Sequence, residues 1–399
     1  MKSLSSTVLA LAPSMTVAID TRAKELQASG MDVVGLGAGE PDFDTPDYIK
    51  EAAIASLREG RTKYTAPTGI PELKRAVSDK LQRENGIRIA PEQVVITSGV
   101  KHAVSNVLQT LINSGDEVVI PAPYWVTYPE LVKLYGGKPV FIPTSVDTRY
   151  KITPAQLEAA ITPRTKALIL CNPSNPTGMV YGKAELEAFA EILVRHDVYV
   201  VTDEIYEHIL YDDRTPVSIA SLGPEILSRS LIVNGLSKAY AMTGWRVGYF
   251  AGPAPIAKAI GSLQSQATHH PANPSQYAAV AALDGGLDFV REMVREFSRR
   301  RDFVVGNLRS IPGVNAPNPE GAFYALPEVS QFYGRKTPSG KRISGSLDLC
   351  EYLLADHLLA VVPGIAFGDD RCIRLSYATS MQNLERAMVR LKSGLTTLT

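Results

Sequence analysis

Through the middle of the chain, short apolar runs alternate with stretches of helical periodicity, and this alternation constrains the fold more than any other feature. Val94-Val95-Ile96 leads into a helical pattern with Ala103, Val104, Val107, Leu108 and Leu111 on one face. Glu117 to Ile120 is followed by a helix near Pro129 to Tyr135, then by a strand from Pro139 to Ile142. Ala167 to Leu170 precedes a helix from Lys183 to Arg195, and Val198 to Val201, Leu231-Ile232-Val233 and Val247 to Phe250 complete the series. Strands separated by crossover helices predict an α/β fold around a mostly parallel sheet. Only a short turn separates Val233 from Val247, so that last strand is expected to return antiparallel. Upstream, Pro71 opens a helix carrying Leu73, Ala76, Val77 and Leu81, and Gly86 stops it.

After Pro274 the pattern turns helical, with a long charged stretch from Leu287 to Arg309. A smaller α+β unit follows: strand-like Ala322 to Leu326, a helix near Leu347 to His357, then Ala360-Val361-Val362 and Cys372 to Ser376. Arg335 to Gly345 is polar and contains glycine, and reads as a loop. A chain of 399 residues, 45% hydrophobic and 21% charged, can bury a large core in two domains. Lysine plus arginine and aspartate plus glutamate number 41 each, which argues against a nucleic-acid or anionic-membrane partner. Cys171, Cys350 and Cys372 are too few and too scattered for a disulfide framework or a zinc site, so no metal is expected and the thiols read as reduced. The apolar stretch Val8 to Ala12 imitates a signal peptide but is too short, and no run reaches membrane-spanning length. A soluble cytoplasmic protein is expected.

In open α/β sheets ligands sit at the carboxyl ends of the strands. Val94 to Ile96 ends in Thr97-Ser98-Gly99-Val100-Lys101 and a helix, whose free N–H groups suit a phosphate. Glu117 to Ile120 ends in Pro121-Ala122-Pro123-Tyr124-Trp125, which offers an aromatic plane to a cofactor ring. Ala167 to Leu170 ends in Asn172-Pro173-Ser174-Asn175-Pro176-Thr177-Gly178, a rigid turn with amide donors. Val198 to Val201 ends in Thr202-Asp203-Glu204-Ile205-Tyr206, with a carboxylate for a pyridine nitrogen and a phenol for a ring oxygen. Taken singly, Trp125 reads equally as core, Asn175 as a turn residue and Asp203 as a helix N-cap. Leu231 to Val233 ends at Lys238, a lysine withdrawn from water and so more readily a nucleophile, with Arg246 eight residues later as a fixed cation. An amine for an aldehyde and a cation for a phosphate are what pyridoxal 5'-phosphate requires.

The segment Gly235 to Gly248 resembles the lysine-attachment motif of the class I and II aminotransferases. With Gly37 to Phe43, Tyr64 to Gly69, Asn175 to Gly178, Asp203 to Tyr206 and Ile373 to Tyr377, the chain is similar over nearly its whole length to fold-type I aminotransferases, particularly the bacterial aspartate aminotransferases. The resemblance implies a pyridoxal-phosphate-dependent fold-type I architecture: a large mixed, mostly parallel sheet domain at 49–285, with a smaller α+β domain made from an N-terminal arm at 1–48 and from 286–399. It implies a homodimer with shared active sites. Lys238 would bond the cofactor and shuttle the α-proton, Asp203 would hold the ring nitrogen protonated, Tyr206 and Asn175 would bond the phenolic oxygen, and Trp125 would stack on the ring. Gly99, Val100, Lys101 and Arg246 would hold the phosphate, with Tyr64 reaching that of the neighbouring subunit. Arg374 and Gly39 would meet the substrate α-carboxylate.

The implied reaction is ping-pong transfer of an amino group between an L-amino acid and a 2-oxo acid. Lys101, with Thr16, would meet a distal carboxylate, which favours aspartate, glutamate, oxaloacetate and 2-oxoglutarate. Two departures from the family pattern bear on this: Ala12 stands where a lysine is common, and Thr268 to Pro274 contains His269-His270 in place of a Ser/Thr/Asn-rich run. Prephenate or aromatic substrates, and lyase chemistry on the same fold, are the alternatives. A transcription-regulator reading lacks a basic N-terminal domain, and Gly35-Leu36-Gly37-Ala38-Gly39 has the wrong spacing for a dinucleotide site.

Overall fold

The computed structural model describes residues 3–12 and 15–399. Its centre is a seven-stranded sheet in the order Val94–Thr97, Gly248–Ala251, Ser230–Gly235, Tyr199–Asp203, Thr165–Cys171, Glu117–Ala122, Lys138–Pro143. Gly248–Ala251 runs antiparallel to both neighbours, and every other pairing is parallel, as the short turn after Lys238 predicts. Successive strand residues point to opposite faces. Val95, Ile169, Val201 and Val233 enter one core, while Val94, Ile96 and Ile232 enter a second and Leu168, Leu170 and Val200 a third. Both faces are therefore covered, which is why these strands read as unbroken apolar runs.

Several boundaries move. The strand Tyr199–Asp203 runs two residues beyond Val201, so Asp203 is a strand end and not a helix cap. The helix Thr127–Leu134 starts before Pro129, because a proline in the first turn surrenders only an N–H that lacks a helical partner anyway. Ala360-Val361-Val362 is not one strand: Leu359–Ala360 pairs with Val34–Gly35, and Val362–Pro363 pairs with the strand Ile373–Ser376. Only Tyr324–Ala325 of the run Ala322 to Leu326 is in a strand, on the other side of Ile373–Ser376. The helix Ala254–Gln266, with Ile256, Ala257 and Ile260 buried, packs against Val100–Leu111 where small and polar residues leave little periodicity to read. Around the smaller sheet lie the helices Asp288–Arg309, Ser346–His357 and Met381–Thr396. Among the described residues no helix is long and apolar enough to cross a membrane.

Candidate active site

At the carboxyl end of the large sheet lies a cavity of about 460 Å³. One wall is the helix start at Val100 and Lys101, which follows the turn after Thr97. Gly99 has φ 85°, a conformation that disfavours a side chain, and caps the helix Val100–Leu111, whose first turn carries no acidic residue. A Cβ on Gly99 would stand 2.7 Å from Arg246 Nη2, and one on Gly248 would stand 2.7 Å from Val100 N. The absence of both side chains lets strand end, helix start and guanidinium converge. Arg246 donates through Nη1 to Thr243 O at 2.8 Å and through Nη2 to Ser98 O at 3.4 Å, and so among the described residues meets carbonyls only. Lys101 is exposed at the cavity edge, with Nζ 5.1 Å from the Trp125 ring. Burial of its stem and the nearby Arg246 lower its pKa.

Lys238 is half-buried, and its Nζ donates to the carbonyl of Gly39. Desolvation by the cavity walls lowers its pKa to about 8; Glu40 opposes the shift, and Arg246 and Arg374 add to it. On the inner wall Asp203 is 3% exposed, and burial raises its carboxyl to about 6. Tyr128 Oη donates to Asp203 Oδ2 at 2.7 Å, and Ile205 N donates more weakly to Oδ1 at 3.3 Å. Trp125 packs edge-on to Tyr128, with ring centroids 5.3 Å apart. Tyr206 is buried and shares a 2.9 Å hydrogen bond with Tyr324 Oη.

Opposite stands Arg374, buried between the rings of Tyr324, at 4.5 Å, and Phe367, at 4.8 Å. Its Nη1 donates to Asn175 Oδ1 at 3.1 Å and its Nη2 to Gly37 O at 2.8 Å. Its Nε is buried with no hydrogen-bond partner among the described residues. A buried guanidinium with a free donor and no carboxylate in its hydrogen bonds is a site for an incoming anion.

Lys238, Val100, Lys101, Trp125, Asn175, Asp203, Tyr206, Arg246, Gly39 and Arg374 all line this cavity. Gly99 and Tyr64 do not: Gly99 abuts the Arg246 guanidinium, and Tyr64 is 89% exposed, its ring against His269 and His270 at centroid distances of 5.4 and 6.0 Å. The side chain of Thr16 lies outside the described residues. Tyr128, Tyr324, Glu40 and Thr243 also line the cavity and escaped the sequence reading. Tyr128 sits inside a helical pattern and Tyr324 inside an apolar strand, where either reads as core. Only the aromatic run before Pro129 hinted at Tyr128.

A lysine of lowered proton affinity, a buried carboxylate, a helix start beside a guanidinium bonded only to carbonyls among the described residues, and the buried donor of Arg374 Nε suit a group with an aldehyde, a basic ring nitrogen and a phosphate. Fold and cavity together define a pyridoxal 5'-phosphate enzyme. The profile of the family described as "Aminotransferase class I and II" matches residues 31–391, and the chain belongs to that family. It is 49% identical over 391 residues to the aspartate/prephenate aminotransferase of Cereibacter sphaeroides, covering 98% of each chain. It is 45% identical to the aspartate aminotransferase of Rhizobium meliloti strain 1021, covering 98% of this chain and 95% of that one. Among solved structures, a Rhizobium meliloti aspartate aminotransferase superposes with a TM-score of 0.96 at 44% identity, covering 100% of both chains. The Thermus thermophilus aspartate aminotransferase with maleate gives 0.92 at 44% identity, covering 99% of this chain and 100% of that one.

Proposed function

We propose that this aminotransferase moves the amino group between aspartate or glutamate and oxaloacetate or 2-oxoglutarate by ping-pong turnover. The observation that carries the reading is the unpartnered Nε of buried Arg374 in the same cavity as a lysine of pKa about 8. When bound, pyridoxal 5'-phosphate supplies an aldehyde that condenses with amines and a cationic ring that draws off the electron pair released at Cα. Gly99, Val100, Lys101 and Arg246 would hold its phosphate, Asp203 its ring nitrogen, Tyr206 and Asn175 its phenolic oxygen, and Trp125 its ring face.

Arg374 fixes the substrate by its α-carboxylate, and the carbonyls and rings around the guanidinium keep it from turning away. Gly39 lets the backbone approach the same carboxylate. With a pKa of about 8, roughly a tenth of the Lys238 amine is neutral at pH 7, against about one in 2,500 for an ordinary lysine. Once its Nζ is free, it takes the α-proton and returns one on the far side of the transfer, as a general base and then acid. Tyr128, by bonding Asp203 Oδ2, favours the ionised carboxylate that holds a proton on the ring nitrogen.

Lys101 at the cavity edge, together with Thr16, is our candidate for the distal carboxylate. The solved Thermus protein carries maleate, a dicarboxylate, which supports an acidic preference. Prephenate is the second reading, supported by the name of the Cereibacter relative. We assign 1–48 and 286–399 to a small domain and 49–285 to the cofactor domain, and the pairing of Val34–Gly35 with Leu359–Ala360 supports joining the two chain ends. The exposed Tyr64 supports a homodimer in which that residue serves the other protomer's phosphate. A cytoplasmic setting fits the three unpaired cysteines.

The test follows cofactor absorbance in single turnovers with aspartate, glutamate, tyrosine, phenylalanine and alanine, then with oxaloacetate, 2-oxoglutarate and prephenate as acceptors. Aspartate and glutamate should outpace alanine by at least about tenfold, the worth of one charge-assisted contact. Equal rates would end the acidic-substrate reading.

A further inference from the structure

His102 stands one turn into the helix Val100–Leu111 and does not line the cavity. Its Nδ1 accepts a hydrogen bond from the backbone N–H of Ser98 at 3.0 Å. An imidazole nitrogen that accepts carries no proton, so the neutral ring bears its hydrogen on Nε2. Nε2 faces Thr268 Oγ1 at 3.3 Å, and there it donates. The carbonyl of Ser98 is meanwhile held by Arg246. Both backbone groups of Ser98 are thus tied, one to the cation of the cradle and the other to a titratable ring behind it.

We propose that His102 is a positioning residue for the cofactor phosphate: the neutral ring fixes the Thr97–Ser98 peptide at the start of the turn, and the protonated ring releases it. The proposal rests on the reading of the Gly99 turn and Arg246 as the phosphate cradle. An imidazolium has two donors and no acceptor, so protonation sets an N–H against the Ser98 N–H and forces the turn to give. The titratable and charged groups around this end of the helix are Lys101 beside His102, Arg246 across the turn, and His269, His270 and Tyr64 beyond Thr268. Lys258 is the one charged residue of the packed helix Ala254–Gln266, and Tyr135 bonds Ser105 further along. None of them bonds the ring, and burial alone lowers its pKa. The release therefore falls below the ordinary imidazole value of about 6.5.

Equilibrium dialysis of the full chain against pyridoxal 5'-phosphate, and separately against phosphate-free pyridoxal, at pH 5.0 to 8.0 tests this. If the competent turn requires neutral His102, apparent affinity falls with the neutral fraction, about tenfold per pH unit below its pKa. Titration of the free cofactor cancels when variants are compared. Between pH 7.5 and 5.0 the wild-type dissociation constant for pyridoxal 5'-phosphate should rise by a larger factor than that of His102→Gln, which accepts but does not titrate, the excess staying below the roughly thirtyfold that an ordinary imidazole would give. Pyridoxal should show no such difference. His102→Leu, which cannot accept, should bind the phosphate form weakly at every pH; should it fail to fold by circular dichroism, the Gln comparison decides. A Gln variant that tracks wild type, or a folded Leu variant that binds as tightly, overturns the proposal. Arg246→Gln separates the two readings. It should abolish the preference for pyridoxal 5'-phosphate over pyridoxal, and persistence of that preference removes the cradle and the proposal with it. Loss of the preference while Gln tracks wild type removes only the role of His102.

Discussion

Replacing Asp203 with asparagine should make the cofactor-free protein more stable at neutral pH while removing its activity. Asp203 is 3% exposed and its carboxyl stands at about 6 in the folded chain, against about 3.9 when unfolded. The folded pKa is the higher, so the favourable contribution is present below about pH 4 and is lost as pH rises through 6. At pH 7 the burden is about two pKa units, or about 2.8 kcal/mol. Asparagine keeps the shape and an acceptor for Tyr128 Oη, and it does not titrate. Loss of the 3.3 Å contact from Ile205 N sets an offset that does not vary with pH. The pH-dependent part is therefore diagnostic: the stability of Asp203→Asn relative to wild type should rise by about 2 kcal/mol between pH 4.5 and pH 7.

Urea unfolding of both cofactor-free proteins at one protein concentration measures this, since assembly would otherwise enter the comparison. Parallel stability curves across that range would refute the claim that burial raises this carboxyl. So would a variant whose relative stability declines as pH rises. The same variant, loaded with cofactor, should lose turnover by about a hundredfold or more, because a neutral amide cannot hold the ring nitrogen protonated.

Lys238→Ala should leave the cofactor bound without a covalent link, so that borohydride treatment adds no mass to the chain, and turnover should fall by about 10⁴-fold. A borohydride-stable adduct in that variant would move the attachment elsewhere. Arg374→Lys should raise KM for aspartate and alanine alike by about ten- to a hundredfold, since the α-carboxylate is common to both and lysine lacks the planar fork. A rise confined to aspartate would place Arg374 at the distal end of the substrate.

What could be read from the sequence follows from where side chains are forced to show their purpose. Apolar runs covered on both faces reveal strands, and in an α/β sheet strand ends reveal sites, so Lys238, Asp203, Asn175 and Gly99 were legible together. Arg374 was legible through the run Ile373 to Tyr377, by resemblance rather than by periodicity. Tyr128 and Tyr324 were not, because a phenol at a core-facing position looks apolar until its partner is known. Their partners, Asp203 and Tyr206, lie 75 and 118 residues away in the chain. The split of Leu359 to Pro363 between two sheets was hidden for the same reason. Pairing is a property of the distant strand, and a run of alanine and valine accepts either partner.

The cavity is assembled from groups that the fold leaves under-satisfied. Among the described residues Arg374 keeps a buried Nε without an acceptor, Arg246 meets only carbonyls, Asp203 carries an unneutralised buried charge, and Lys238 has given up part of its proton affinity. Each is a cost in a chain optimised only for folding, and on the function proposed above each becomes an asset when an anion, a phosphate, a ring nitrogen or an aldehyde arrives. The glycines at 99 and 248 permit the convergence, since a methyl group at either would meet an atom at 2.7 Å. The large sheet then holds Asp203, Lys238 and the turn at Gly99 at fixed separations, because each follows or ends one of its strands and the three cores packed on it cannot shift independently. Binding free energy of cofactor and substrate should therefore return as stability, and the holoenzyme should lose the pH-dependent penalty that Asp203 imposes on the empty protein.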